Sequence, residues 1–155
     1  MKAKISIVLG SKNDIEKLKA GFDLLKSQKI SYSLDVISAH RHPDKLTKYC
    51  KSLESNGAQV VIACAGMAAA LPGFVASYVN IPVIGVGLKG GMMDGMDALF
   101  SMVSAPKGIG LVSTGLGSHA FINAIIVSLE ILAISDKKYK TKLLAVKKKF
   151  KWKNF

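Results

Sequence analysis

The sequence predicts an α/β protein, a parallel sheet between two layers of helices, on three observations. Five short apolar runs recur along the chain, each run leads into a short loop of small or polar residues, and each loop opens into a stretch with apolar residues at helical spacing. No low-complexity linker separates the five units.

The first unit has an apolar run at residues 4–9, typical of a strand buried in a parallel sheet. The loop Gly10-Ser11-Lys12-Asn13-Asp14 follows, then Ile15, Leu18, Phe22 and Leu25 on one helical face. The second unit alternates over residues 31–37, turns through Ser38-Ala39-His40-Arg41-His42, and starts a helix near 43–56 with Pro43 in its first turn. In the third, Gln59-Val60-Val61-Ile62-Ala63-Cys64 is the strand, residues 65–71 form a loop of small residues, and the helix lies near 72–79. Val83-Ile84-Gly85-Val86 leads through a Gly/Met loop to a helix around 94–103. Ile109-Gly110-Leu111-Val112-Ser113 leads through Gly115-Leu116-Gly117 to a long helix from Ser118 to about Ile134. Five short βα units specify a doubly wound, flavodoxin-like three-layer α/β/α sandwich with a five-stranded parallel sheet. Residues 1–135 are expected to form a single domain, and residues 136–155 a basic C-terminal helical extension.

A chain of 155 residues, 50% hydrophobic, is enough for one domain with a full core. The net charge of +12 invites a nucleic-acid or membrane reading until its location is considered. Nine lysines lie in residues 136–155 against the single acid Asp136, and the rest of the chain carries only +4. A lysine run of that kind reads as a solvated terminal helix, not a nucleic-acid surface. The apolar region from Ala58 to Leu88 is interrupted by Gly66, Pro72, Gly73, Asn80 and Pro82, which does not suit a membrane span. Cys50 and Cys64 are not spaced as a metal knuckle and read as reduced core residues, so a cytoplasmic protein is expected.

In a doubly wound sheet, ligands bind outside the carboxyl ends of the strands where strand order reverses, so the loops after the first three strands should form one pocket. The second of these loops carries two imidazoles, His40 and His42, the side chain suited to acid/base work near neutral pH. It also carries Arg41, the only arginine in the chain, whose planar fork matches a phosphate or carboxylate. In the first loop, Gly10, Ser11 and Asn13 offer backbone and side-chain donors at a helix start, where an anion is attracted. Asp14 there either accepts ribose hydroxyls or caps the helix. The third loop, Ala65-Gly66-Met67-Ala68-Ala69-Ala70-Leu71-Pro72-Gly73, has no charge and little bulk; it serves either close helix–strand packing or the approach of backbone to a small planar ligand kept dry. His119 reads as a capping or solvent-facing residue at a helix start.

Gly10-Ser11-Lys12-Asn13-Asp14, Ser38-Ala39-His40-Arg41-His42-Pro43-Asp44 and Ala65-Gly66-Met67-Ala68-Ala69-Ala70-Leu71-Pro72-Gly73 resemble, in order and spacing, the three signatures of the PurE family of purine biosynthesis. The resemblance continues through Asp94-Gly95-Met96-Asp97-Ala98-Leu99 and Ala105-Pro106-Lys107-Gly108-Ile109 to Asn123-Ala124. It implies the class that rearranges N5-carboxyaminoimidazole ribonucleotide to 4-carboxy-5-aminoimidazole ribonucleotide on the way to IMP. His40 would be the catalytic acid/base, and the electron-rich aminoimidazole would need no metal and no cofactor. Ser11, Asn13 and Arg41 would hold the phosphate and Asp14 the ribose, while Gly10, Ser38, Ala39 and the stretch Ala65, Gly66, Met67, Ala70 and Leu71 would line the rest. It also implies a homo-octamer acting on a small ribonucleotide, with no nucleic acid or membrane as partner. Three positions depart from the family pattern. Ala70 stands where the class usually has His, Asn13 stands where Ser is common, and Lys89-Gly90-Gly91-Met92-Met93 replaces the usual loop after the fourth strand. Direct carboxylation of aminoimidazole ribonucleotide with CO2, and ribonucleotide binding without turnover, are the alternative readings.

Overall fold

The computed structural model describes residues 3–91 and 93–150, so the part of the lysine run beyond Phe150, with Lys151 and Lys153, lies outside the described residues, as does Met92. The order of elements is β1 (Ile5–Leu9), α1 (Asp14–Lys17), α2 (Lys19–Ser27), β2 (Tyr32–Val36), α3 (Pro43–Leu53), β3 (Val60–Gly66), α4 (Ala70–Tyr78), β4 (Val83–Leu88), α5 (Met96–Val103), β5 (Val112–Leu116), α6 (Gly117–Ala133) and α7 (Lys137–Phe150). The five strands form one parallel sheet in the order β2-β1-β3-β4-β5, as the repeated βα pattern predicts. Strand order reverses at β1, because β2 pairs on one side of it and β3 on the other. That places the switch point between the loops that follow β1 and β3.

Side-chain alternation divides the core. Ile5, Ile7 and Leu9 of β1 pack with Ile62, Ile84, Phe121, Ile125 and Leu129 beneath α2, α6 and α7. Val8 points the other way and packs with Val61, Ala63, Leu46, Leu71 and Val75 beneath α3 and α4. Ser6 shares that second face and is fully buried; its hydroxyl is satisfied at 2.8 Å by both Ser33 Oγ and Tyr49 OH. β1, β3 and β4 are buried almost throughout, whereas the edge strands β2 and β5 have no fully buried residue.

Several boundaries differ from the sequence reading. The first helix breaks at Leu18, which leaves helical geometry (φ −106°, ψ 8°) and is fully buried. The one-turn α1 thereby faces Asp14 toward the loops while α2 packs on the sheet. Helix α4 starts at Ala70, two residues early, because Pro72 falls within the first turn, where its missing N–H would have had no partner. Helix α5 starts only at Met96, since Asp94 (φ 46°) and Gly95 (φ 93°) adopt left-handed conformations. Helix α3 ends at Leu53, and Ala58 N–H closes its end by donating to Leu53 O. Strand β5 runs from Val112 to Leu116 instead of 109–113. The turn in which Ile109 N–H donates to Pro106 O occupies the expected strand start, and Leu116, expected in a loop, ends the strand.

The terminal helix is not simply solvated. Tyr139 and Val146 of α7 are buried against α6, Lys4 pairs with Asp136 at 3.1 Å, and Lys147 pairs with Glu130. Lys142 donates to the carbonyls of Gln28 (2.9 Å) and Lys29 (2.6 Å), just past the end of α2. A cation is favoured at that helix end because the last carbonyls carry partial negative charge. Cys50 and Cys64 are buried free thiols, as expected. Burial pushes Cys50 up to about 11 and raises Cys64 well above the usual thiol range. Among the described residues no helix is long and apolar enough to cross a membrane.

Candidate active site

The loops after β1, β2 and β3 converge at the carboxyl end of the sheet, around a cavity of about 840 Å³. Gly10 N–H donates to Cys64 O at 3.1 Å and fixes the end of β1 against the end of β3. The chain then turns within the first loop, where Asn13 N–H donates to Ser11 Oγ (3.3 Å) and Asp14 N–H to Ser11 O (3.2 Å). Asp14 is 6% exposed, one of very few buried charges, and Lys17 Nζ lies 3.4 Å from its Oδ1.

The second loop is shaped by Ser38. Its Oγ accepts from Arg41 N–H (3.3 Å) and its carbonyl accepts from His42 N–H (3.0 Å), which closes the turn before Pro43 opens α3. His40 and Arg41 are exposed at the tip of this turn, and neither side chain has a partner among the described residues, so both are available to a ligand.

The third loop is strained. Met67 (φ 53°) and Ala69 (φ 26°) both have positive φ, and each such non-glycine residue costs about 1 kcal/mol or more. Ser101 Oγ on α5 donates to Ala69 O at 3.1 Å, and Ala69 N–H donates to Gly66 O at 3.2 Å; these bonds hold the conformation. The strain keeps backbone and small side chains against the cavity, where Met67 alone projects (67% exposed).

Gly10, Ser11, Asn13, Asp14, Ser38, Ala39, His40, Arg41, Ala65, Gly66, Met67, Ala70 and Leu71 all line this one cavity. His119 is exposed and lies elsewhere. A second groove of about 710 Å³, between β2 and α3, contains none of these residues.

From outside the three loops, the structure adds Lys17, Lys89, Gly90 and Gly91 to the lining. Lys17 could have been read from the sequence, since it follows Asp14 by three residues on the same helical face. Lys89, Gly90 and Gly91 could not, because their place depends on β4 lying beside β3 in the sheet. The attraction for anions also has a different origin from the expected helix terminus. Helix α1 is a single turn with little macrodipole, whereas Lys12, Lys17, Arg41 and Lys89 outnumber Asp14 around the cavity. The lining is cationic on balance, which suits an anionic ligand.

The sequence profile of the AIR carboxylase family matches residues 4–153. The chain is 39% identical over 143 residues to the N5-carboxyaminoimidazole ribonucleotide mutase of Haemophilus influenzae, covering 92% of this chain and 87% of that protein. It is 40% identical over 140 residues to the mutase of the same name from Pyrococcus abyssi, covering 90% and 79%. It also shares 40% identity over 129 residues with the phosphoribosylaminoimidazole carboxylase of Schizosaccharomyces pombe, covering 83% of this chain but 23% of that protein. The fold superposes on the crystal structure of Treponema denticola PurE with a TM-score of 0.81 at 23% identity, covering 94% and 89% of the two chains. The chain belongs to the AIR carboxylase family, also called PurE.

Proposed function

We propose that this chain is a mutase that moves a carboxyl group from the exocyclic nitrogen of N5-carboxyaminoimidazole ribonucleotide to ring carbon C4, in purine biosynthesis. The observation that carries this reading is the convergence of the three signature loops on one cationic cavity, with His40 and Arg41 unpartnered at its mouth. The mutase relatives match this chain over most of their own length, and the carboxylase relative matches it over 23% of its length, which favours the mutase over direct carboxylation.

The proposed chemistry balances with one proton carrier. The N–CO2 bond breaks, its electron pair stays on nitrogen, and protonated His40 supplies the proton. The electron-rich C4 attacks the released CO2, and neutral His40 then takes the C4 proton, which restores its starting state. No proton or electron is left over, and no redox partner is needed. Caging the CO2 beside C4 replaces an encounter from solution with a reaction between held partners. The small residues 65–71 are suited to be the wall of that cage. Arg41, Ser11 and Asn13 hold the phosphate, and Asp14 holds the ribose.

We further propose a cytoplasmic homo-octamer, supported by the buried free thiols and by Met96, Phe100 and Val103, an exposed apolar stripe on α5. The lysines of α7 that bind Glu130 and the Gln28 and Lys29 carbonyls support docking of this helix rather than nucleic-acid binding.

The test is turnover of freshly generated N5-carboxyaminoimidazole ribonucleotide by the wild type and by His40→Asn, beside aminoimidazole ribonucleotide plus bicarbonate. Conversion of the carbamate by the wild type, reduced at least about 100-fold in the variant with its melting temperature kept, is the expected result. Bicarbonate-dependent carboxylation alone would establish the carboxylase. Thermal stabilisation by the ribonucleotide without turnover of either substrate would establish a binding protein in which Ala70 has cost the activity.

A further inference from the structure

Lys89, Gly90 and Gly91, which follow β4, border the cavity yet belong to none of the three signature loops; with 93–95 they are the described part of the β4–α5 loop. Its backbone is permissive, because Gly90 (φ 140°), Gly91 (φ 74°) and Gly95 (φ 93°) occupy conformations that other residues rarely adopt. Such a segment needs an anchor outside itself. The ammonium of Lys89 is directed within the loop, 3.5 Å from Asp94 Oδ2. The carbonyl of Lys89 accepts a hydrogen bond from Lys17 Nζ, at 3.3 Å. The same ammonium lies 3.4 Å from Asp14 Oδ1, so one cation joins the carboxylate on the first loop to the backbone of the fourth. Farther along, Gly91 lies against Met67, where an added Cβ would sit 3.6 Å from Met67 Cγ.

We propose that Lys17 is a positioning residue for the reaction. It holds Asp14 by one carboxylate oxygen, leaving the other for the ligand, and it clamps the β4–α5 loop as the fourth wall of the cavity. This rests on the mutase reading. The clamp spans the two ends of the ligand, since Asp14 stands at the ribose side and the loop reaches Met67 on the imidazole side. Binding is the step that feels its loss, because Lys17 is not placed to exchange a proton with the reacting atoms.

The experiment compares the wild type, Lys17→Met, Lys17→Arg and the control Lys19→Met in steady-state kinetics and thermal unfolding. Lys19 pairs with Asp23 on the exposed face of α2 and does not line the cavity. For Lys17→Met, KM is expected to rise about ten-fold while kcat falls less than about three-fold, the scale of one lost charge-assisted contact. Its melting temperature is expected to fall by no more than about 5 °C, because Lys17 is half exposed and screened by water although the Asp14 carboxylate it faces is buried. Lys17→Arg is expected to recover most of the KM, and Lys19→Met to match the wild type. An unchanged KM in Lys17→Met overturns the assignment. So does a fall of kcat alone, which would place Lys17 in the chemistry, and so does a joint loss of kcat, KM and melting temperature, which would make it structural. If the wild type does not convert the carbamate, the mutase reading fails on its own, and calorimetric Kd values for aminoimidazole ribonucleotide then decide on Lys17, with about ten-fold weaker binding expected in Lys17→Met.

Discussion

Gly21 shows how a single residue can be fixed by its neighbour across the core. It lies inside α2, where alanine would favour the helix by about 1 kcal/mol. A Cβ at this position, however, would stand inside the van der Waals envelope of Phe121 Cδ1 and Cε1. Phe121 is fully buried and its ring packs 5.1 Å from the ring of Phe22, so it cannot swing away freely. Overpacking of about 1–3 kcal/mol should outweigh the helical gain, and Gly21→Ala is expected to lower stability by about 1–2 kcal/mol in urea unfolding. Nothing in the local sequence announces this, because the clash depends on α2 and α6 sharing one face of the sheet. The lining of the cavity was legible by contrast. Each signature residue from Gly10 to Leu71 sits within a few positions of a strand end, so chain spacing alone delivers it to the carboxyl edge. Lys17 and Lys89 were missed for opposite reasons. The first was readable three residues beyond Asp14, and the second depends on which strand lies next to β3.

At the scale of elements, α7 departs furthest from its sequence. Its lysine content suggests a helix in water, yet Tyr139 and Val146 at a separation of seven give it one apolar seam, and α6 is there to accept it. Asp136 marks the start of this docking. Its carboxyl is held below the usual carboxylate range by the hydrogen bond from Lys4, with the Lys138 N–H adding to the effect. A folded value below the unfolded one stabilises the fold at every pH above the unfolded carboxylate value, about 3.9. That contribution disappears as pH falls through the folded value. Asp136→Asn is therefore expected to lower the melting temperature by up to about 2 °C near neutral pH, a modest effect because the pair is solvent-screened. The gap from the wild type should stay constant down to about pH 4 and close below it, as read by melting curves across pH. Element ends were the least legible feature. Where α1 breaks and where β5 begins were set by burial of Leu18 and by the turn at Pro106, neither of which leaves a periodic trace.

For the whole molecule, the stripe of Met96, Phe100 and Val103 recurs at intervals of four and three along α5, opposite the face that buries Ala98 and Met102. A helix apolar on both faces is the signature of one covered on both, which is the basis for the proposed octamer. If the proposed octamer forms, Phe100→Glu is expected to break it into smaller species in sedimentation velocity while circular dichroism keeps the fold; an unchanged particle would place the interface elsewhere. The sequence by itself determined the fold class and the place of the cavity. Apolar runs with a period of two or none must pair as strands, the stretches between them have helical period, and loops at strand ends cannot avoid the carboxyl edge of a parallel sheet. Only the tertiary structure decided that Lys17 joins Asp14 to the fourth loop and that a lysine-rich helix closes over α6. Periodicity reports which face of an element is apolar. Which elements meet across that face follows from non-local packing, and no short window of sequence contains it.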